Sequence, residues 1–444
     1  MKRAALAAVA VVVCVCTFLG ASNGTMSPPS KQTKLLFLYY GDPTAPGYEE
    51  EKASWQTFKA DNPDIDLQME TLYGRNYHLK LTAYVASGVL PDVMYIWPQA
   101  RDSSTVLQRN RLVKDLSHVL SAAFLSHFVA PALDVNQQAS KMLAELPASV
   151  VYTSVMYANK KLLAERRLPL PSSYDDLRRL AAALLGSGVQ TVALPDGDKW
   201  VAQSCLFSTI VGRLLGDAWV DEVMTGAARF ADARFVDALS FYANLFTDGV
   251  VQRQNMRLAY GEGISLLAGE KAAFLVDGDW RHSAYNDGSI PSARQSADYA
   301  LLAFPPVPGE INPGVVSTFA GPGLGIAANF PAGSEKELAA VRLFEFFYGA
   351  DFQRMKLETG GLLPSRKDVA SSHVAPFTSM MLEYRSNIGS SCYVLDGVLS
   401  PNVADEINEG LCAIGLGTET PEEVAARVQA AQDDVLATQI SLGK

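Results

Sequence analysis

The sequence predicts an α/β fold built as two lobes, and three observations support this prediction. First, the chain has 444 residues, which is more than one hydrophobic core usually organises, so two or three domains are expected. Second, strand and helix patterns alternate in two successive blocks. Third, a strand-and-helix segment recurs after Pro306. We therefore expect the chain to cross between the lobes more than once, which allows the lobes to open and close about the crossings.

The central feature of the sequence is the stretch 261–280, GEGISLLAGEKAAFLVDGDW. It predicts a short helix, a buried strand over Ala272–Val276 and an exposed loop that delivers Trp280. Ligands of open α/β sheets sit beyond the carboxyl ends of the strands. Trp280 is therefore either a lid packed on its own domain or a flat apolar platform for a sugar ring. Asp277 and Asp279 are candidates for accepting hydrogen bonds from ligand hydroxyl groups.

The first block of the chain predicts a doubly wound βαβαβ unit. Asp42 and Trp97 directly follow its first and last strands, so both side chains are expected at the same sheet edge. The predicted elements, in order, are a strand over Lys34–Gly41, a helix over Tyr48–Ala60, a strand with alternating apolar residues over Ile65–Met69, a helix over Asn76–Gly88 and a short strand over Val93–Ile96.

The second block predicts further strands and helices, some of them with recognisable capping residues. Ser173 and Asp176 resemble a capping box, and the same is true of Ser334 and Glu337. The other predicted elements are an irregular helical segment over Arg111–Phe128, strands over Val150–Tyr157, Thr191–Leu194, Tyr299–Phe304 and Gly321–Ala328, a buried helix over Trp200–Leu215, a helix from Asp232 and a last helix from Thr420.

The amino terminus has the pattern of an export signal. Lys2 and Arg3 precede an apolar run over Ala4–Leu19, and small residues follow it. We predict residues 1–24 as a signal sequence and the periplasm or cell envelope as the destination. The run is long enough to serve as an uncleaved membrane anchor, and Cys14 and Cys16 leave lipidation open.

Charge and cysteine content limit the partners. The formal net charge is −10, so the basic surface that nucleic acid needs is not expected. Beyond the signal, the three cysteines are Cys205, Cys392 and Cys412. A disulfide between Cys392 and Cys412 and buried free thiols are both compatible with this spacing.

Sequence motifs of common catalytic sites are absent. The chain contains no phosphate-binding glycine loop, no G-x-S-x-G and no H-E-x-x-H. Its five histidines lack the spacing of metal ligands. We therefore expect neither a cofactor nor a metal site. A catalytic pair of carboxylates, as in glycoside hydrolases, stays compatible with the sequence.

Several short motifs, in their order along the chain, resemble those of bacterial extracellular solute-binding proteins of family 1, the sugar-binding components of ABC importers. Tyr174 occupies a position where this family usually has Trp. The matching segments are Val85-Ala-Ser-Gly88-x-x-Pro91-Asp92-Val93, Arg111–Leu116, Leu146-Pro147, Tyr157–Lys160, Pro171–Leu177, Gly269-Glu-Lys271-Ala-Ala273 with Gly278-Asp-Trp280, Pro305–Gly309, Phe352-Gln353 and Gly360–Arg366.

The resemblance implies the type II fold of periplasmic binding proteins, with two α/β lobes, a hinge and a ligand cleft between the lobes. It implies a first lobe of residues 34–147 plus 306–368 and a second lobe of residues 148–305 plus 369–444. It also implies a monomer that binds a sugar or oligosaccharide without chemical change and delivers it to the permease of an ABC transporter.

The resemblance also suggests which residues contact the sugar. Carried over position by position, Trp280 is the stacking platform and Trp97 a second one, while Asp42 accepts hydrogen bonds from hydroxyl groups. Tyr152 lies on the strand that follows the first crossing between the lobes, near a position that contacts the ligand in this family. The further candidates are Asp279, Trp200, the backbone amide of Gly361, and Arg101 and Asp102 at the rim.

Other function classes stay open at this stage. The protein could bind glycerol phosphate, a polyamine or a peptide, and a phosphate group would need arginines or helix amino termini in the cleft. It could instead be an exported glycoside hydrolase. A structural or adhesive envelope protein with a filled cleft is the remaining alternative.

Overall fold

A computed structural model of the chain describes residues 32–45, 47–97, 103–133, 135, 142–286, 296–360 and 362–442. The export signal predicted over residues 1–24 lies outside the described residues. Within the ranges given, no helix is both long enough and apolar enough to cross a lipid bilayer.

Strands and helices alternate along the described chain. The strands are β1 Thr33–Tyr40, β2 Ile65–Leu72, β3 Val93–Ile96, β4 Leu146–Pro147, β5 Val150–Tyr152, β6 Val155–Asn159, β7 Gln190–Ala193, β8 Ala272–Asp277, β9 Tyr299–Leu302, β10 Val316–Ala320, β11 Gly323–Ile326 and β12 Ser391–Tyr393. The α-helices are α1 Tyr48–Asp61, α2 Arg75–Ser87, α3 Ser103–Arg109, α4 Ala122–Leu125, α5 Lys160–Glu165, α6 Tyr174–Leu184, α7 Ser208–Leu214, α8 Asp217–Thr225, α9 Ala233–Thr247, α10 Tyr260–Ala268, α11 His282–Asn286, α12 Glu335–Phe347, α13 Ala350–Glu358, α14 Pro376–Ser386, α15 Leu395–Val398, α16 Pro401–Leu416 and α17 Pro421–Leu442.

The first lobe is built on a sheet with the strand order β2-β1-β3-β11-β4. β1 pairs in parallel with both β2 and β3, which confirms the predicted βαβαβ unit. β11 returns antiparallel to β3. The apolar residues of β1 are buried together with side chains of the covering helices, such as Trp55 of α1 and Phe344 of α12. A strand that is covered on both faces has to be apolar almost throughout, as β1 is.

The second lobe is built on a sheet with the order β7-β8-β6-β9. β8 lies in its interior, parallel to β7 and antiparallel to β6. Every residue of β8 is buried. The helices that cover this sheet share a large core with it, in which Phe207, Phe235 and Tyr242 are fully buried. The first and second sheets therefore have separate cores, as a two-lobe fold requires.

A third sheet, which we call the linking sheet, joins the lobes and has the order β12-β10-β5. β5 and β10 are antiparallel, and each is followed by a strand of a lobe sheet. The prediction of one continuous strand over Val150–Tyr157 is wrong, because β5 and β6 belong to different sheets. The break occurs at Thr153, whose amide and hydroxyl both donate to the carbonyl oxygen of Ser317 at 3.0 and 3.2 Å.

Buried hydroxyl groups connect the linking sheet to the second lobe. The Oγ atom of Ser317 lies 2.7 Å from Oγ1 of Thr153 and 2.9 Å from Oγ1 of Thr209. All three side chains are at most 1% exposed. Thr209 belongs to α7, Ser317 to β10, and Thr153 directly follows β5. The network therefore attaches both crossings between the lobes to one helix of the second lobe.

The lobe boundaries suggested by the resemblance stay a proposal. Arg213 of α7 donates hydrogen bonds to the carbonyl oxygens of Phe304, Pro305 and Val315, each within 2.9 Å. The segment that precedes β10 is therefore held to a second-lobe helix up to Val315.

The disulfide considered between Cys392 and Cys412 is not formed. Cys205, Cys392 and Cys412 are all free and buried. Burial raises the pKa of each thiol, because the thiolate is poorly solvated inside the protein. The alternative of buried free thiols is the one that the structure bears out.

Candidate functional site

The carboxyl ends of the lobe strands meet the linking sheet. Asp277, the last residue of β8, pairs with Val155, which lies three positions after the end of β5. In the first lobe, Ile96 at the end of β3 pairs with Gly323, three positions after the end of β10. The last residues of β3 and β8, Ile96 and Asp277, therefore both lie next to the crossings between the lobes, where a ligand can contact both lobes.

Three half-buried aromatic side chains form what we call the second-lobe aromatic cluster: Trp200, Tyr260 and Trp280. The rings of Trp200 and Tyr260 are 4.8 Å apart between centroids, and those of Trp200 and Trp280 are 6.1 Å apart at an angle of 42°. These rings come from the start of the α7 region, from α10 and from the loop after β8. Their partial exposure leaves apolar area for a ligand.

A chain of hydrogen bonds orients the indole of Trp280. Its Nε1 donates to the hydroxyl oxygen of Tyr260, and that hydroxyl donates to Oδ1 of Asp277 at 2.9 Å. The guanidinium group of Arg281 stacks on the Tyr260 ring at 3.9 Å. Burial and the negative charge of Asp277 raise the pKa of the Tyr260 hydroxyl, so it stays protonated and keeps its role as donor.

Asp277 is part of the protein's own framework. It is completely buried and forms an ion pair of 2.5 Å with Arg281. Burial raises its pKa, although Arg281 and the Gly278 amide act in the opposite direction. The prediction of an exposed loop after β8 is therefore wrong for both carboxylates, since Asp279 is only 3% exposed.

Asp279 and Tyr152 meet at the linking sheet. Oδ2 of Asp279 accepts a hydrogen bond of 3.0 Å from the backbone amide of Tyr152 in β5. Burial raises the pKa of Asp279 to about 6, and Arg385 and the Tyr152 amide only partly offset this shift. The carboxylate thus ties the β8 loop to a crossing strand, whereas the half-buried Tyr152 ring packs against the first-lobe core.

Arg385 of α14 completes this arrangement. Its guanidinium group lies over the Tyr152 ring at 4.9 Å, Nη2 donates to the carbonyl oxygen of Val150 at 2.9 Å, and Nε is 4.0 Å from Asp279. Among the described residues, its Nη1 atom has no hydrogen-bond partner. This donor is buried beside the crossing.

The helix that follows Trp200 contains an irregular turn. Residues Gln203–Phe207 form a π-helical turn, a feature that is frequent at functional sites. The turn contacts β8 and β10. The amide of Gln203 is fully buried, and neither its nitrogen nor its oxygen has a partner within the described ranges. Buried amides are nearly always hydrogen-bonded, so Gln203 is a further candidate for a ligand contact.

The first lobe presents its own group of aromatic residues. The Trp97 ring lies 5.1 Å from Tyr40 and 4.7 Å from His78, and Tyr40 lies 5.1 Å from Tyr73. Asp42 follows β1 beside this group. Burial raises its pKa, but hydrogen bonds from Thr44 and Tyr73 outweigh that effect and leave the pKa below its usual value. Asp42 is therefore an ionised acceptor at neutral pH.

The sequence-predicted site residues form three groups in the structure. Trp200 and Trp280 lie together in the second-lobe aromatic cluster, Asp279 and Tyr152 meet at the linking sheet, and Asp42 and Trp97 lie in the first-lobe group. Gly361, Arg101 and Asp102 lie outside the described residues. The assignment of these residues to a ligand site stays a prediction.

Sequence reasoning missed Tyr260, Arg281, Gln203 and Arg385. Two of them border the stretch 261–280: Tyr260 directly precedes it and Arg281 directly follows it. Gln203 follows Trp200 by three positions, in the first turn of the helix that begins after Trp200. Arg385 carries no local signal, because its neighbours Val150 and Asp279 are distant in the sequence.

A metal centre finds no support in the part of the chain that the structure describes. In the ranges given above, no group of three or more His, Cys, Asp or Glu side chains could hold a metal ion. His282, the first residue of α11, is buried, and burial lowers the pKa of its imidazole. Its Nδ1 atom lies 2.8 Å from the carbonyl oxygen of Asp279.

The fold is similar to that of solved binding proteins. A chitin oligosaccharide binding protein aligns with a TM-score of 0.74 at 20% identity, covering 92% of this chain and 100% of the other. A probable secreted solute-binding lipoprotein from Streptomyces coelicolor aligns with a TM-score of 0.76 at 16% identity, covering 90% and 99%. Maltose-bound MalE3 of T. maritima aligns with a TM-score of 0.67 at 18% identity, covering 91% and 100%.

These likenesses establish the two-lobe fold of solute-binding proteins. No curated protein has a sequence that matches this chain significantly. The model of one protein family, described as bacterial extracellular solute-binding protein, matches residues 53–379. Since this match spans well over half of the 444 residues, the chain belongs to the bacterial extracellular solute-binding protein family.

Proposed function

We propose that this protein captures a sugar or oligosaccharide between its lobes and delivers it unchanged to the permease of an ABC importer. In this proposal it is an exported, monomeric binding protein without catalytic activity. Similar folds belong to a chitin oligosaccharide binding protein and to maltose-bound MalE3, which supports a carbohydrate as the ligand.

The observation that carries the proposal is the second-lobe aromatic cluster beside the crossings. Indole and phenol rings offer flat apolar faces that match the CH-rich faces of a sugar ring. The Trp280 ring is held by Tyr260, so little side-chain freedom is lost when a ligand binds. Ionised Asp42 supplies a polar contact that would orient hydroxyl groups.

The charges at the site argue against a polyamine. A polycation needs several carboxylates without other partners. Asp277 is already paired with Arg281, and Asp279 is bound to the Tyr152 amide and faces Arg385. A neutral ligand therefore suits the second-lobe side of the site better than a cation does.

Replacement of Trp280 by Ala tests the proposal. The mature protein is first screened by thermal shift against oligosaccharides of the maltose, chitin and xylan series, since a ligand selective for the folded state raises the melting temperature. Calorimetry with the best ligand should show that Trp280→Ala weakens binding by about 30-fold, because truncating a central aromatic contact costs about 2 kcal/mol or more.

The matched control is Leu338→Ala, which truncates an exposed apolar residue of α12 that is 57% exposed. This variant should bind like the unmodified protein. A screen in which no carbohydrate stabilises the protein contradicts the proposed ligand class. Unchanged affinity of Trp280→Ala for a confirmed sugar removes Trp280 from the site.

A further inference from the structure

A pocket lies at the amino ends of β7 and β8, opposite to the strand ends that meet the linking sheet. We call it the distal pocket, and its walls come from the ends of α6 and α9 and from the start of both strands. Lys271 lines it and lies six residues before Asp277, which is roughly 20 Å along a strand at about 3.3 Å per residue. The volume is about 660 Å³, and ligand sites typically measure about 300–1,000 Å³. The pocket is thus large enough for a small molecule and separate from the proposed sugar site.

The walls of the distal pocket are aliphatic. Leu184, Val189 and Leu266 contribute to them, and the described lining contains no aromatic side chain. Leu185, which follows α6 and also lines the pocket, is 86% exposed, more than any other large apolar residue that the structure describes. A hydrocarbon chain that covers these surfaces removes apolar area from water. A sugar ring finds no aromatic face on which to stack.

A buried amide supplies a hydrogen-bond donor to this pocket. The backbone amide of Leu194 donates to Oδ1 of Asn255 at 3.0 Å, so Nδ2 of Asn255 is the donor in its 2.8 Å contact with Oε1 of Gln190. Nε2 of Gln190 is left without an acceptor among the residues that the structure describes. It does not belong to the unpartnered atoms that are shut off from solvent. Because Gln190 is only 7% exposed and lines the distal pocket, this accessible donor faces the pocket.

A positive charge lies next to this donor. Lys271 is exposed, and in the described part of the chain its Nζ forms neither an ion pair nor a hydrogen bond. The carbonyl oxygen of Lys271 accepts from the Gln190 amide at 2.8 Å, so the two residues are neighbours in one wall. The carboxylate of the lining, Asp248, is already bound by Arg178 at 3.3 Å and by the Tyr174 hydroxyl at 2.7 Å. The charge of Lys271 is therefore the one that a ligand can neutralise.

We propose that the distal pocket binds a small amphipathic carboxylate, such as the anion of a medium-chain fatty acid. One carboxylate oxygen accepts from Nζ of Lys271 and the other from Nε2 of Gln190. The hydrocarbon chain covers Leu184, Leu185 and Val189. One ammonium group and one amide match the single charge and the two oxygens of a carboxylate, whereas recognition of a phosphate group favours the paired donors of arginine.

A titration with octanoate, followed by ligand-observed nuclear magnetic resonance, tests this site. Octanoate should bind the mature protein saturably, and n-octanol should bind more weakly because it carries no charge. Lys271→Met keeps the length of the side chain and removes its charge. We expect it to weaken octanoate binding by about tenfold, as for the loss of a hydrogen bond to a charged group. The matched control is Lys160→Met, which removes an exposed lysine of the same lobe outside the pocket and should leave the affinity unchanged.

Two further variants locate the bound octanoate. Ala182→Trp places a large ring into the pocket from an exposed position of α6, and it should abolish binding while thermal melting shows that the protein is folded. Trp280→Ala alters the proposed sugar site and should leave octanoate binding unchanged. If Ala182→Trp fails to fold, Lys271→Met decides the question, because the Lys271 side chain is exposed and has no partner to lose.

Four results would overturn the assignment. The first is the absence of saturable octanoate binding. The second is equal affinity for n-octanol, which would make the pocket an apolar cavity without carboxylate recognition. The third is full affinity in Lys271→Met or in folded Ala182→Trp, which would place the octanoate elsewhere. The fourth is loss of octanoate binding in Trp280→Ala, which would place it in the sugar site. None of these results bears on whether the cleft binds a carbohydrate.

Discussion

Trp280 owes its orientation to a residue twenty positions earlier in the chain. The hydroxyl of Tyr260 accepts from the indole and donates to Asp277, and Arg281 both covers the Tyr260 ring and neutralises Asp277. Three side chains thus hold one aromatic face in place. The effect of removing the Tyr260 hydroxyl measures how much this preorganisation matters.

Tyr260→Phe should weaken carbohydrate binding while leaving the stacked rings in place. We expect a loss of about tenfold in affinity, because the indole regains rotational freedom, and a loss of about 1–2 kcal/mol in the free energy of unfolding, because Asp277 and the indole lose a buried partner. Calorimetry and urea unfolding measure the two effects. Affinity equal to that of the unmodified protein would show that the hydroxyl does not position Trp280.

Asp279 should make stability depend on pH. Its pKa is raised to about 6 in the folded protein, against about 3.9 when unfolded. Between these values the unfolded state releases its proton first, so the free energy of unfolding falls as pH rises from about 4 to about 6. The contribution is roughly 3 kcal/mol at about 1.4 kcal/mol per pKa unit. Above about pH 6 it changes no further.

Urea unfolding of Asp279→Asn across this pH range checks the expectation. The amide oxygen can still accept from the Tyr152 amide, but the variant carries no titratable group at this position. Its stability should therefore fall less steeply with pH than that of the unmodified protein. Asp196, whose pKa burial raises to about 7, titrates in both proteins and serves as an internal reference. Parallel stability curves would contradict the raised pKa of Asp279.

At the scale of elements, the linking sheet depends on hydroxyl groups that are buried with it. Thr153 and Ser317 belong to the two crossings, and Thr209 to α7. Thr153 also donates to the Ser317 carbonyl through its amide. When the lobes move relative to each other, these hydrogen bonds are therefore either kept intact or lost.

Thr153→Val should destabilise the protein by about 1–3 kcal/mol, because the isosteric methyl group leaves Ser317 short of a buried partner. Urea unfolding measures the loss. The matched control is Thr57→Val on the exposed face of α1, where the hydroxyl donates to the carbonyl oxygen of Ala53 in the same helix. That change should stay within about 0.5 kcal/mol. Equal effects of the two substitutions would argue against a special role of the buried hydroxyl groups of the linking sheet.

Local patterns in the sequence were sufficient to predict many elements. The hydroxyl of Ser173 accepts from the Asp176 amide, and that of Ser334 from the Glu337 amide, as the capping patterns indicated. The strand of Ala272–Val276 was also predicted, because a continuous apolar run cannot face water. The split between β5 and β6 could not be predicted, since it depends on Ser317, more than 160 positions away.

The site was also predictable only in part, because some of its contacts join residues that are distant in the sequence. Trp280 stands out because it directly follows a buried strand. The burial of Asp279 depends on Tyr152 and Arg385, which come from other parts of the chain. Nothing in the local sequence indicates that this carboxylate binds a backbone amide of the linking sheet.

At the scale of the whole molecule, two sheets with separate cores direct their strand ends toward one linking sheet. A ligand that contacts aromatic groups of both lobes gains all of its contacts only when the lobes approach each other. Such a differential contact shifts the population toward the closed form. We therefore expect the protein to change its shape when the ligand binds.

Small-angle X-ray scattering of the mature protein measures this change most directly. The radius of gyration is compared with and without a saturating carbohydrate found in the thermal-shift screen, and Trp280→Ala at the same sugar concentration is the control. We expect the radius to decrease when the ligand saturates the unmodified protein and to stay constant in the variant. A bound sugar that leaves the radius of the unmodified protein unchanged would contradict a cleft that closes on its ligand.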